Sequence, residues 1–597
     1  MRYKSLGEMY FDKRTSMPDK VAYMYKKGGK WHKLTFKEVV DWAENISAGL
    51  ASLGVKKGDR VALISTNRVE WAVADYAALA LGAMLVPIYP SLLSDQVKYI
   101  INDAEAKVVI AADEIQMEKV DEVRPELEHA RHFYVFDPPK ELKEPWKKFE
   151  ALAEAGKDFL QEHPGYVAEE IKKVEPADWA TIIYTSGTTG EPKGAVLTHG
   201  NFLSNIEGTL AVLDIYSEDV FLSFLPLSHV FERMAGHFLS SYLGATVAYA
   251  ESIDTVAENM LEIKPTVMIS VPRLYEKIYA RIIENVEMGP GSKRKIFYWA
   301  VKVGQEYVNR IVKKQPIPFM LKAKYNVANK LVFSKLKERV GGRLRFFVSG
   351  GAPLSPEIGE FFAAAGLIII EGYGLTETSP VISANLLDNF KFGTVGLPLP
   401  NVEVKIAEDG EILTRGPHVM VGYYKKEADT KEAIDEEGWF HTGDIGLLDE
   451  DGFLKITDRK KNIIVTSGGK NIAPQPIENA LTMSQYIEQA VVIGDKRKFC
   501  TAVIVPALEA IKNWAAAQGK TVNTYEDMLK LDGLKELIRQ EVDRVNESLA
   551  RYETIKDFVI AREPFSIESG ELTPSLKTKR RVIEEKYKDE IEKMYQV

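Results

Sequence analysis

Short apolar runs bounded by turn residues recur along the first two thirds of the chain, with helical patterns between them. These runs cover residues 61–64, 107–112, 181–184, 266–271, 344–348 and 367–370. Because a parallel strand pair needs a long crossover, usually a helix, this alternation predicts layered α/β structure with buried, largely parallel strands. The most apolar window, residues 71–90, contains Asp75, Gly82 and Pro87, so we expect a buried helix followed by a strand rather than a membrane span.

The sequence pattern changes after about Gly393. Residues 402–406 and 411–414 alternate between apolar and polar side chains, and the turn Asp409-Gly410 separates them. Alternation of this kind is typical of strands that are exposed on one face. We therefore predict a small β subdomain here.

A second change follows the charged run at residues 458–462. Beyond this run, apolar stretches mix with helical patterns, which indicates a small α+β domain. At 597 residues the chain is too long for a single hydrophobic core. We predict an α/β fold with a large N-terminal domain, residues 1–457, of layered α/β subdomains plus the β subdomain, followed by a C-terminal α+β domain, residues 458–597.

The charge and the cysteine content exclude several classes of function. The net charge is −9, which argues against nonspecific binding to nucleic acid. The single cysteine, Cys500, excludes internal disulfides and zinc sites built on several cysteines, and it is compatible with a reducing compartment. Residues 1–10 have no apolar core long enough for a signal peptide, so we expect a cytoplasmic protein. The sequence leaves the oligomeric state open.

One segment, residues 302–345, is strongly basic. Twelve Lys or Arg stand there against two Glu, a net charge of +10. Apolar residues lie among these charges at roughly helical spacing: Val327, Leu331, Phe333 and Leu336. The insertion, about residues 285–345, is therefore either an amphipathic surface that contacts anionic membrane at the inner face of the cell membrane, or a solvated helical hairpin.

The stretch YTSGTTGEPKG, residues 184–194, has the composition of a polyphosphate cradle. An apolar strand pattern, residues 178–184, precedes it, and an apolar run leads from it towards Asn201, a candidate helix cap. Glycines between a strand and a helix free backbone N–H groups to point at one anion, while hydroxyl groups and Lys193 add further donors and a positive charge. A flexible linker is the alternative, but a linker needs neither the lysine nor the preceding strand.

Two common nucleotide-binding motifs do not fit. In the first stretch only two residues separate Gly187 from Gly190, and Lys193 is followed by glycine, so the P-loop pattern fails. In residues 372–377, Glu377 stands where the third glycine of a dinucleotide-binding fingerprint belongs. A different phosphate-binding motif is therefore required.

Further stretches complete a set of ordered motifs: residues 349–354 (SGGAPL), 371–377 (EGYGLTE), 439–444 (WFHTGD), 458–459 (DR) and 572–577 (LTPSLK). With the 184–194 stretch, this set resembles the adenylate-forming superfamily of acyl-CoA synthetases, adenylation domains and luciferases, from roughly Met17 to the C terminus. Residues 225–233 (LPLSHVFER), the basic insertion after Pro272-Arg273 and the ending at 572–580 look most like those of bacterial long-chain fatty acyl-CoA synthetases.

The resemblance implies a two-step ligase. A fatty acid and ATP give acyl-AMP and pyrophosphate, and CoA then gives acyl-CoA and AMP. Nucleotide binding is implied for Thr185, Ser186, Gly187, Thr188, Thr189, Gly190, Lys193, Gly351, Ala352, Pro353, Glu371, Gly372, Tyr373, Gly374, Thr376, Asp444, Arg459 and Lys461. Within this set, Tyr373 would stack on adenine and Asp444, with Arg459, would bind the ribose.

The resemblance also implies roles around the reacting groups. Thr185 and Glu377 would hold Mg²⁺ on the phosphates, which suits a cation that prefers oxygen ligands. Catalytic roles are implied for Lys577, His229, Thr376 and Glu377. Asp458 would be the hinge of a mobile C-terminal domain, which would bring Gly468, Gly469 and Lys470 towards CoA.

Three questions stay open at this stage. Arg233 stands four residues after His229, where some long-chain members of the superfamily have a tryptophan gate; it could attract the fatty carboxylate or be structural. The acceptor could be a carrier protein, which would make the chain a fatty acyl-AMP ligase. A non-catalytic ATP-binding membrane adaptor is the alternative from another class, although it would have no use for Lys577.

Overall fold

The computed structural model describes residues 1–185, 191–566, 569–573 and 578–596. Two large sheets form the core of the N-terminal region. The eight-stranded sheet has this strand order: Gly422–Tyr423, Lys193–Thr198, Trp179–Thr185, Met84–Ile88, Arg60–Ile64, Val108–Ala111, His132–Val135 and Trp146–Lys148. The nine-stranded sheet has this order: Leu397–Pro398, Val381–Ala384, Ile368–Gly374, Phe346–Ser349, Val267–Ser270, Val220–Ser223, Thr246–Tyr249, Val21–Lys27 and Lys30–Thr35.

Parallel pairing dominates the interior of both sheets, as the alternation of apolar runs predicted. In the eight-stranded sheet, pairing is parallel from Trp179–Thr185 to Trp146–Lys148. Among the described residues, the antiparallel pairs of these two sheets lie towards one or both ends of each sheet. Such interior strands are covered on both faces, which explains why their sequences are continuous apolar runs rather than alternating ones.

Helices cover the two sheets. In the N-terminal region these are Leu6–Phe11, Lys13–Ser16, Phe36–Ser52, Val69–Ala80, Ser94–Asp103, Glu114–Val123, Phe149–Glu162, Tyr166–Lys172, His199–Leu210, Leu239–Leu243, Val256–Ile263, Pro272–Glu287, Gly291–Val312, Phe319–Ala328, Ser334–Arg339, Pro356–Ala364 and Glu427–Ala433. Shorter turns are 3₁₀ at Arg124–Glu126 and Thr376–Thr378, and π-helical at Glu232–Phe238 and Asn329–Phe333. Within the described residues, every helix is too short or too polar to span a lipid bilayer.

Local sequence explains where these helices begin. The Phe36–Ser52 helix starts at a capping box in which the side chains of Thr35 and Glu38 each accept from the other's backbone N–H. Every residue of the Val69–Ala80 helix except Glu70 is buried, and the strand Met84–Ile88 follows it. This confirms the prediction of a buried helix and a strand in the most apolar window.

The β subdomain and the C-terminal region also follow the prediction. The β subdomain is a four-stranded antiparallel sheet of Glu403–Ile406, Glu411–Arg415, Phe440–Leu448 and Leu454–Arg459. The C-terminal region has the strand pair Ile464–Val465 and Asn471–Ile472, and a sheet of Ile487–Ile493, Cys500–Pro506 and Ile555–Ile560. Its helices are Pro474–Thr482, Leu508–Ala516, Tyr525–Leu529, Leu534–Asn546, Arg580–Lys586 and Lys588–Met594. The predicted α/β fold with a smaller α+β C-terminal region is confirmed.

Candidate active site

The strand pair Trp179–Thr185 and Lys193–Thr198 flanks the predicted phosphate loop. The two strands are antiparallel, and Thr185 pairs with Lys193. The loop therefore joins two strands, and the predicted strand-to-helix connection is wrong. The apolar run after Lys193 is a strand of the eight-stranded sheet, between Trp179–Thr185 and Gly422–Tyr423. Five predicted phosphate-binding residues lie outside the described residues: Ser186, Gly187, Thr188, Thr189 and Gly190.

The helix predicted after this loop starts one strand later than the motif suggested. It begins at His199, and Thr198 is its N-cap. Asn201, predicted as the cap, is instead the third helical residue: its backbone N–H donates to Thr198 Oγ1 at 3.0 Å, and its side chain accepts from the Thr198 N–H at 2.8 Å. The two residues form a reciprocal capping box, which a hydroxyl residue three positions before asparagine could have indicated.

Lys193 lies between an acidic and an aromatic partner. Its ammonium forms an ion pair with Asp429, on the helix Glu427–Ala433. The same ammonium lies 5.2 Å from the centre of the Tyr423 ring. Lys193 and Asp429 are both about one-third exposed, so an incoming polyphosphate could reach this lysine and compete with the carboxylate for it.

Tyr423 connects the phosphate loop to the predicted metal ligand. Its hydroxyl donates a hydrogen bond of 2.8 Å to Oε1 of Glu377. Burial, and next the Glu377 carboxylate, raise the pKa of Tyr423, so the phenol keeps its proton as a donor. The backbone of Glu377 is also held, because its carbonyl accepts from the Met420 N–H at 2.8 Å. Lys193 and Glu377 thus contact the same tyrosine, the lysine at its ring and the carboxylate at its hydroxyl.

The donors near this tyrosine suit Mg²⁺. Glu377 provides a carboxylate from within the one-turn 3₁₀ segment Thr376–Thr378. Thr185 provides a hydroxyl, which donates to the Lys193 carbonyl at 3.3 Å. Mg²⁺ is commonly held by one or two protein oxygens together with substrate phosphates, so these two residues fit the cation.

A second cluster joins Tyr373, Asp444 and Arg459. The Tyr373 hydroxyl donates to Asp444 Oδ2 at 2.7 Å, and Arg459 Nε donates to Asp444 Oδ1 at 3.1 Å. Asp444 and Arg459 are also direct partners across the strands of the β subdomain. The structure thus brings these three side chains together, and their binding of a nucleoside stays a prediction. Asp444 is buried and Arg459 about half exposed.

The backbone around Tyr373 is closely packed. It lies on the strand Ile368–Gly374, next to Gly372 and Gly374. A Cβ atom at Gly374 would lie 1.8 Å from the carbonyl oxygen of Pro380, so only glycine fits there.

The loop Gly351-Ala352-Pro353 is exposed at the end of the neighbouring strand Phe346–Ser349. Gly351 has φ of +82°, a conformation that favours glycine. Glu371 supports this loop from below, since its Oε2 accepts from the Leu354 N–H at 3.4 Å. Burial raises the pKa of Glu371 to about 8, which keeps its carboxyl group neutral at pH 7.

His229 is half-buried, and a backbone contact fixes its tautomer. Its Nδ1 accepts a hydrogen bond from the Phe231 N–H at 3.2 Å, so in the neutral ring the proton is on Nε2. The Phe231 ring lies against Gly350, where a Cβ atom would be 3.0 Å from the ring. The histidine segment is therefore adjacent to the 351–353 loop, and Nε2 is the atom suited to donate towards a carboxylate.

Arg233 is a buried structural cross-link. Its guanidinium donates to Asp75 through Nε at 3.1 Å and Nη2 at 2.5 Å, and to Thr181 Oγ1 at 2.6 Å. Arg233 and Asp75 are fully buried. Burial alone would raise the pKa of Asp75, but Arg233 and then His237 outweigh it and lower that pKa. Of the readings left open for Arg233, the geometry favours the structural one over attraction of a fatty carboxylate.

The residues assigned to the second half-reaction lie farther along the chain. Asp458, the predicted hinge, is a buried residue next to the end of the last β-subdomain strand, Leu454–Arg459. Its Oδ2 accepts from the Gln475 N–H of the next helix at 3.5 Å. Lys461 is exposed. Gly468, Gly469 and Lys470 form an exposed turn, and the Lys470 ammonium lies 5.7 Å from the Tyr552 ring. Lys577 lies outside the described residues.

Sequence reasoning missed four partners of the residues described above: Asp75 and Thr181 contact Arg233, Tyr423 contacts Glu377, and Asp429 pairs with Lys193. Each acts through a partner more than 45 positions away, so no local motif marks it. The one local signal is Gly422 before Tyr423, a position where a Cβ atom would lie 2.6 Å from Thr430.

Comparison with known proteins identifies the family. The AMP-binding enzyme model matches residues 11–424, and the AMP-binding enzyme C-terminal domain model matches residues 461–597. The chain belongs to the AMP-binding enzyme family. Among family members, it is 38% identical to the long-chain-fatty-acid–CoA ligase FadD15 of Mycobacterium bovis, over 99% of this chain and 97% of that protein.

Two further relatives extend this picture. The chain is 35% identical to the peroxisomal long chain acyl-CoA synthetase 6 of Arabidopsis thaliana, over 95% of this chain and 82% of that protein. It also shares the fold of the anthranilate CoA ligase AuaEII, solved with anthranoyl-AMP, with a TM-score of 0.75 at 20% identity, covering 99% of this chain and 98% of that one. The AMP-binding enzyme fold thus extends over essentially the whole chain.

Proposed function

We propose that the protein is an ATP-dependent long-chain fatty acid–CoA ligase that forms acyl-AMP and then acyl-CoA. The observation that carries the proposal is a pair of clusters: Lys193 and Glu377 both contact Tyr423, and Tyr373 and Arg459 both contact Asp444. The first group suits a polyphosphate and the second suits a nucleoside. Two relatives match nearly the full chain, at 38% and 35% identity, and both are named for this activity. These matches support the substrate class.

In the first half-reaction the carboxylate of a fatty acid attacks the α-phosphate of ATP. Two anionic groups must approach each other, so the site has to supply positive charge and hydrogen-bond donors. Lys193 would leave Asp429 to pair with the β- and γ-phosphates. His229 Nε2–H would donate to the fatty carboxylate, and Thr376 would bind the α-phosphate.

The nucleoside would be held by the second cluster. Asp444 would accept from the ribose hydroxyls, with Arg459 keeping the carboxylate oriented. Tyr373 would face adenine across from the 351–353 loop. Glu371, with its neutral carboxyl group, would fix that loop without adding negative charge next to ATP.

Mg²⁺ would be held by Glu377 and Thr185, and it would neutralise phosphate charge when bound. We also propose that Lys577 reaches the reacting groups in this step, and that the domain from Asp458 onwards turns to let Gly468, Gly469 and Lys470 approach CoA. The two-domain boundary at residues 457 and 458, the cytoplasmic location and contact with anionic membrane are parts of the same proposal.

Two assays test the function against its alternatives. Fatty acid should stimulate exchange between ATP and pyrophosphate, which a non-catalytic ATP-binding adaptor cannot do. Thioester should then form with free CoA, which a fatty acyl-AMP ligase that needs a carrier protein would not produce. A panel of saturated acids, scored by CoA thioester formed, should favour long chains; a preference for short or aromatic acids would contradict the long-chain proposal.

A further inference from the structure

The side chain of Asn67 connects the two large sheets. Asn67 lies three residues after the strand Arg60–Ile64 of the eight-stranded sheet. It contacts the segment that leaves the nine-stranded sheet at Ser223. Its Nδ2 donates to the Leu225 carbonyl at 2.7 Å and to Ser223 Oγ at 3.1 Å, and its Oδ1 accepts from the Leu227 N–H at 2.9 Å. One half-buried side chain therefore fixes the path of a segment that belongs to the other sheet.

These three contacts depend on the amide group of Asn67. A side-chain amide has N–H donors and a carbonyl acceptor, and here each group faces the opposite kind of partner. A flipped amide would place its oxygen against the Leu225 carbonyl oxygen and its nitrogen against the Leu227 N–H. Leucine has a similar shape but makes none of these bonds, and an ionised aspartate has no donor for the carbonyl. The chemistry of the side chain is therefore needed, and its size alone is not enough.

The segment that Asn67 holds leads directly to His229. The His229 N–H donates to the Pro226 carbonyl at 2.9 Å. The adjacent Ser228 Oγ donates at 3.3 Å to the carbonyl of Ile88, the last residue of another strand of the eight-stranded sheet. His229 thus follows two attachments to the eight-stranded sheet, although its own segment continues from a strand of the nine-stranded sheet.

The eight-stranded sheet also carries the start of the phosphate loop. Its strands Arg60–Ile64, Met84–Ile88 and Trp179–Thr185 are neighbours and run parallel. The carboxyl ends of neighbouring parallel strands lie at the same edge, which is where α/β sheets bind ligands. Asn67 follows the first of these strands, and Thr185 ends the third. Asn67 therefore ties the histidine segment to the sheet edge from which the phosphate loop starts.

We propose that Asn67 is a positioning residue for acyl-AMP formation, because it fixes His229 relative to the phosphate loop. This assignment rests on the proposed function. Reacting atoms must be held about 3–3.5 Å apart, and a misplacement of about 1 Å can cost roughly a hundredfold in rate. Since Asn67 acts through the backbone of the His229 segment, its loss should reduce kcat far more than it weakens the binding of ATP or acid.

A second asparagine provides a matched control. Asn102 Nδ2 donates to the Glu126 carbonyl at 2.9 Å, and Asn102 Oδ1 accepts from the Glu128 N–H at 3.0 Å. The pattern is the same as at Asn67, since the carbonyl and the N–H again belong to residues two positions apart. Asn102 is also half-buried. Its partners lie in the turn 126–128, outside the segment that carries His229, so its loss should affect stability but not the position of the histidine.

Kinetics of fatty-acid-dependent ATP–pyrophosphate exchange separate positioning from binding. In Asn67→Leu we expect kcat to fall at least roughly tenfold, with KM for ATP and for the acid within about threefold of the parent. Asn67→Asp keeps the acceptor and loses both donors, so it should show the same split if the leucine variant does not fold. Ser223→Ala removes one of the three bonds and should cost only about threefold in kcat. Asn102→Leu should keep the parent kcat and KM, even where its thermal midpoint falls as much as that of Asn67→Leu.

The position of His229 has a readout that needs no substrate. In the parent, Nδ1 of His229 accepts from the Phe231 N–H, so ¹⁵N spectra of histidine-labelled protein should show one defined tautomer for this ring. The chain has nine histidines, and the His229 signals are those that His229→Gln removes. Asn67→Leu should shift these signals towards the average of the two tautomers, and Asn102→Leu should leave them unchanged.

Three results would overturn the proposal, because Asn67 would then be a structural residue only. They are unchanged His229 signals in Asn67→Leu, a change in KM with the parent kcat, and an equal loss of kcat in Asn102→Leu. A parent protein that shows no fatty-acid-stimulated exchange would instead overturn the proposed function. The spectra would then decide alone whether Asn67 positions His229, so the two failures are distinguishable.

Discussion

The Tyr423 hydroxyl donates a hydrogen bond of 2.8 Å to the Glu377 carboxylate, while the ring of the same tyrosine faces the Lys193 ammonium at 5.2 Å. Tyr423 lies on a two-residue strand that pairs with the strand beginning at Lys193, so the contact depends on sheet formation. One side chain thus positions both a phosphate-binding lysine and a predicted ligand of Mg²⁺.

Replacing Tyr423 with Phe removes this hydrogen bond and keeps the ring. We expect the Mg²⁺ concentration for half-maximal ATP–pyrophosphate exchange to rise roughly tenfold or more, because a hydrogen bond to a charged group contributes about 1.5–3 kcal/mol. The rate at saturating Mg²⁺ should stay close to that of the parent. Glu377→Gln, the comparison variant, should instead lose roughly a hundredfold at every Mg²⁺ concentration. An unchanged Mg²⁺ titration for Tyr423→Phe would show that the tyrosine does not position Glu377.

The ion pair between Lys193 and Asp429 should compete with ATP. Asp429→Asn frees the lysine and removes a negative charge near the phosphates, so ATP should bind up to about fivefold more tightly, the range for a partly exposed ion pair. Equilibrium binding of ATP at low and high salt measures this, and the gain should shrink at 1 M salt because of screening. Glu432→Gln, an exposed change on the same helix, is the control. Weaker ATP binding by Asp429→Asn would mean that the carboxylate orients the lysine for the nucleotide.

The buried pair of Arg233 and Asp75 should matter for stability. Asp75→Asn leaves the guanidinium buried without a counterion, which costs about 3–5 kcal/mol and should lower the thermal midpoint by roughly 3 °C or more. The double variant Asp75→Leu/Arg233→Met removes both charges and should recover most of the loss. If the single and double variants have the same thermal midpoint, the pair does not act as a cross-link between the His229 segment and the strand with Thr181.

Much of this architecture was readable from the sequence, and the part that was not has a physical cause. The buried strands and the helix Val69–Ala80 follow from continuous apolar runs, which only a sheet or helix covered on all sides can accommodate. The position of Asn201 was mistaken because an apolar run after a glycine-rich loop fits a strand as well as a helix. Tyr423 could not be predicted, because a two-residue strand has no sequence pattern of its own and forms only by pairing with the distant strand Lys193–Thr198.

The neutral carboxyl group of Glu371 predicts a pH-dependent stability. Burial raises its pKa from 4.5 to about 8, so the folded chain retains a proton that the unfolded chain has already lost. The stabilisation that this proton adds to the free energy of unfolding is complete below about pH 4.5. It falls as the pH rises through about 8, by at most roughly 1.4 kcal/mol per pH unit. The thermal midpoint of Glu371→Gln, relative to that of the parent, should therefore rise between pH 5 and pH 8. Parallel profiles, like those expected for the exposed control Glu436→Gln, would contradict the assignment.

The contact between Arg273 and Glu488, at 2.8 Å, links the N-terminal domain to the C-terminal domain and offers a test of domain rotation. Burial raises the pKa of the single native cysteine, Cys500, to about 11, so its thiol should not react with surface reagents. In Arg273→Cys/Glu488→Cys, a short bis-methanethiosulfonate reagent should therefore join only the two new thiols.

If the domains alternate between two orientations, the linked protein should retain one half-reaction, either ATP–pyrophosphate exchange or thioester formation from pre-made acyl-adenylate, and lose at least tenfold in the other. Dithiothreitol removes the link and should restore both activities. Each single-cysteine variant, treated in the same way, should keep both throughout. A linked enzyme that performs both half-reactions at the parent rate would show that one domain arrangement serves both steps, and rotation about Asp458 would then have no place in the mechanism.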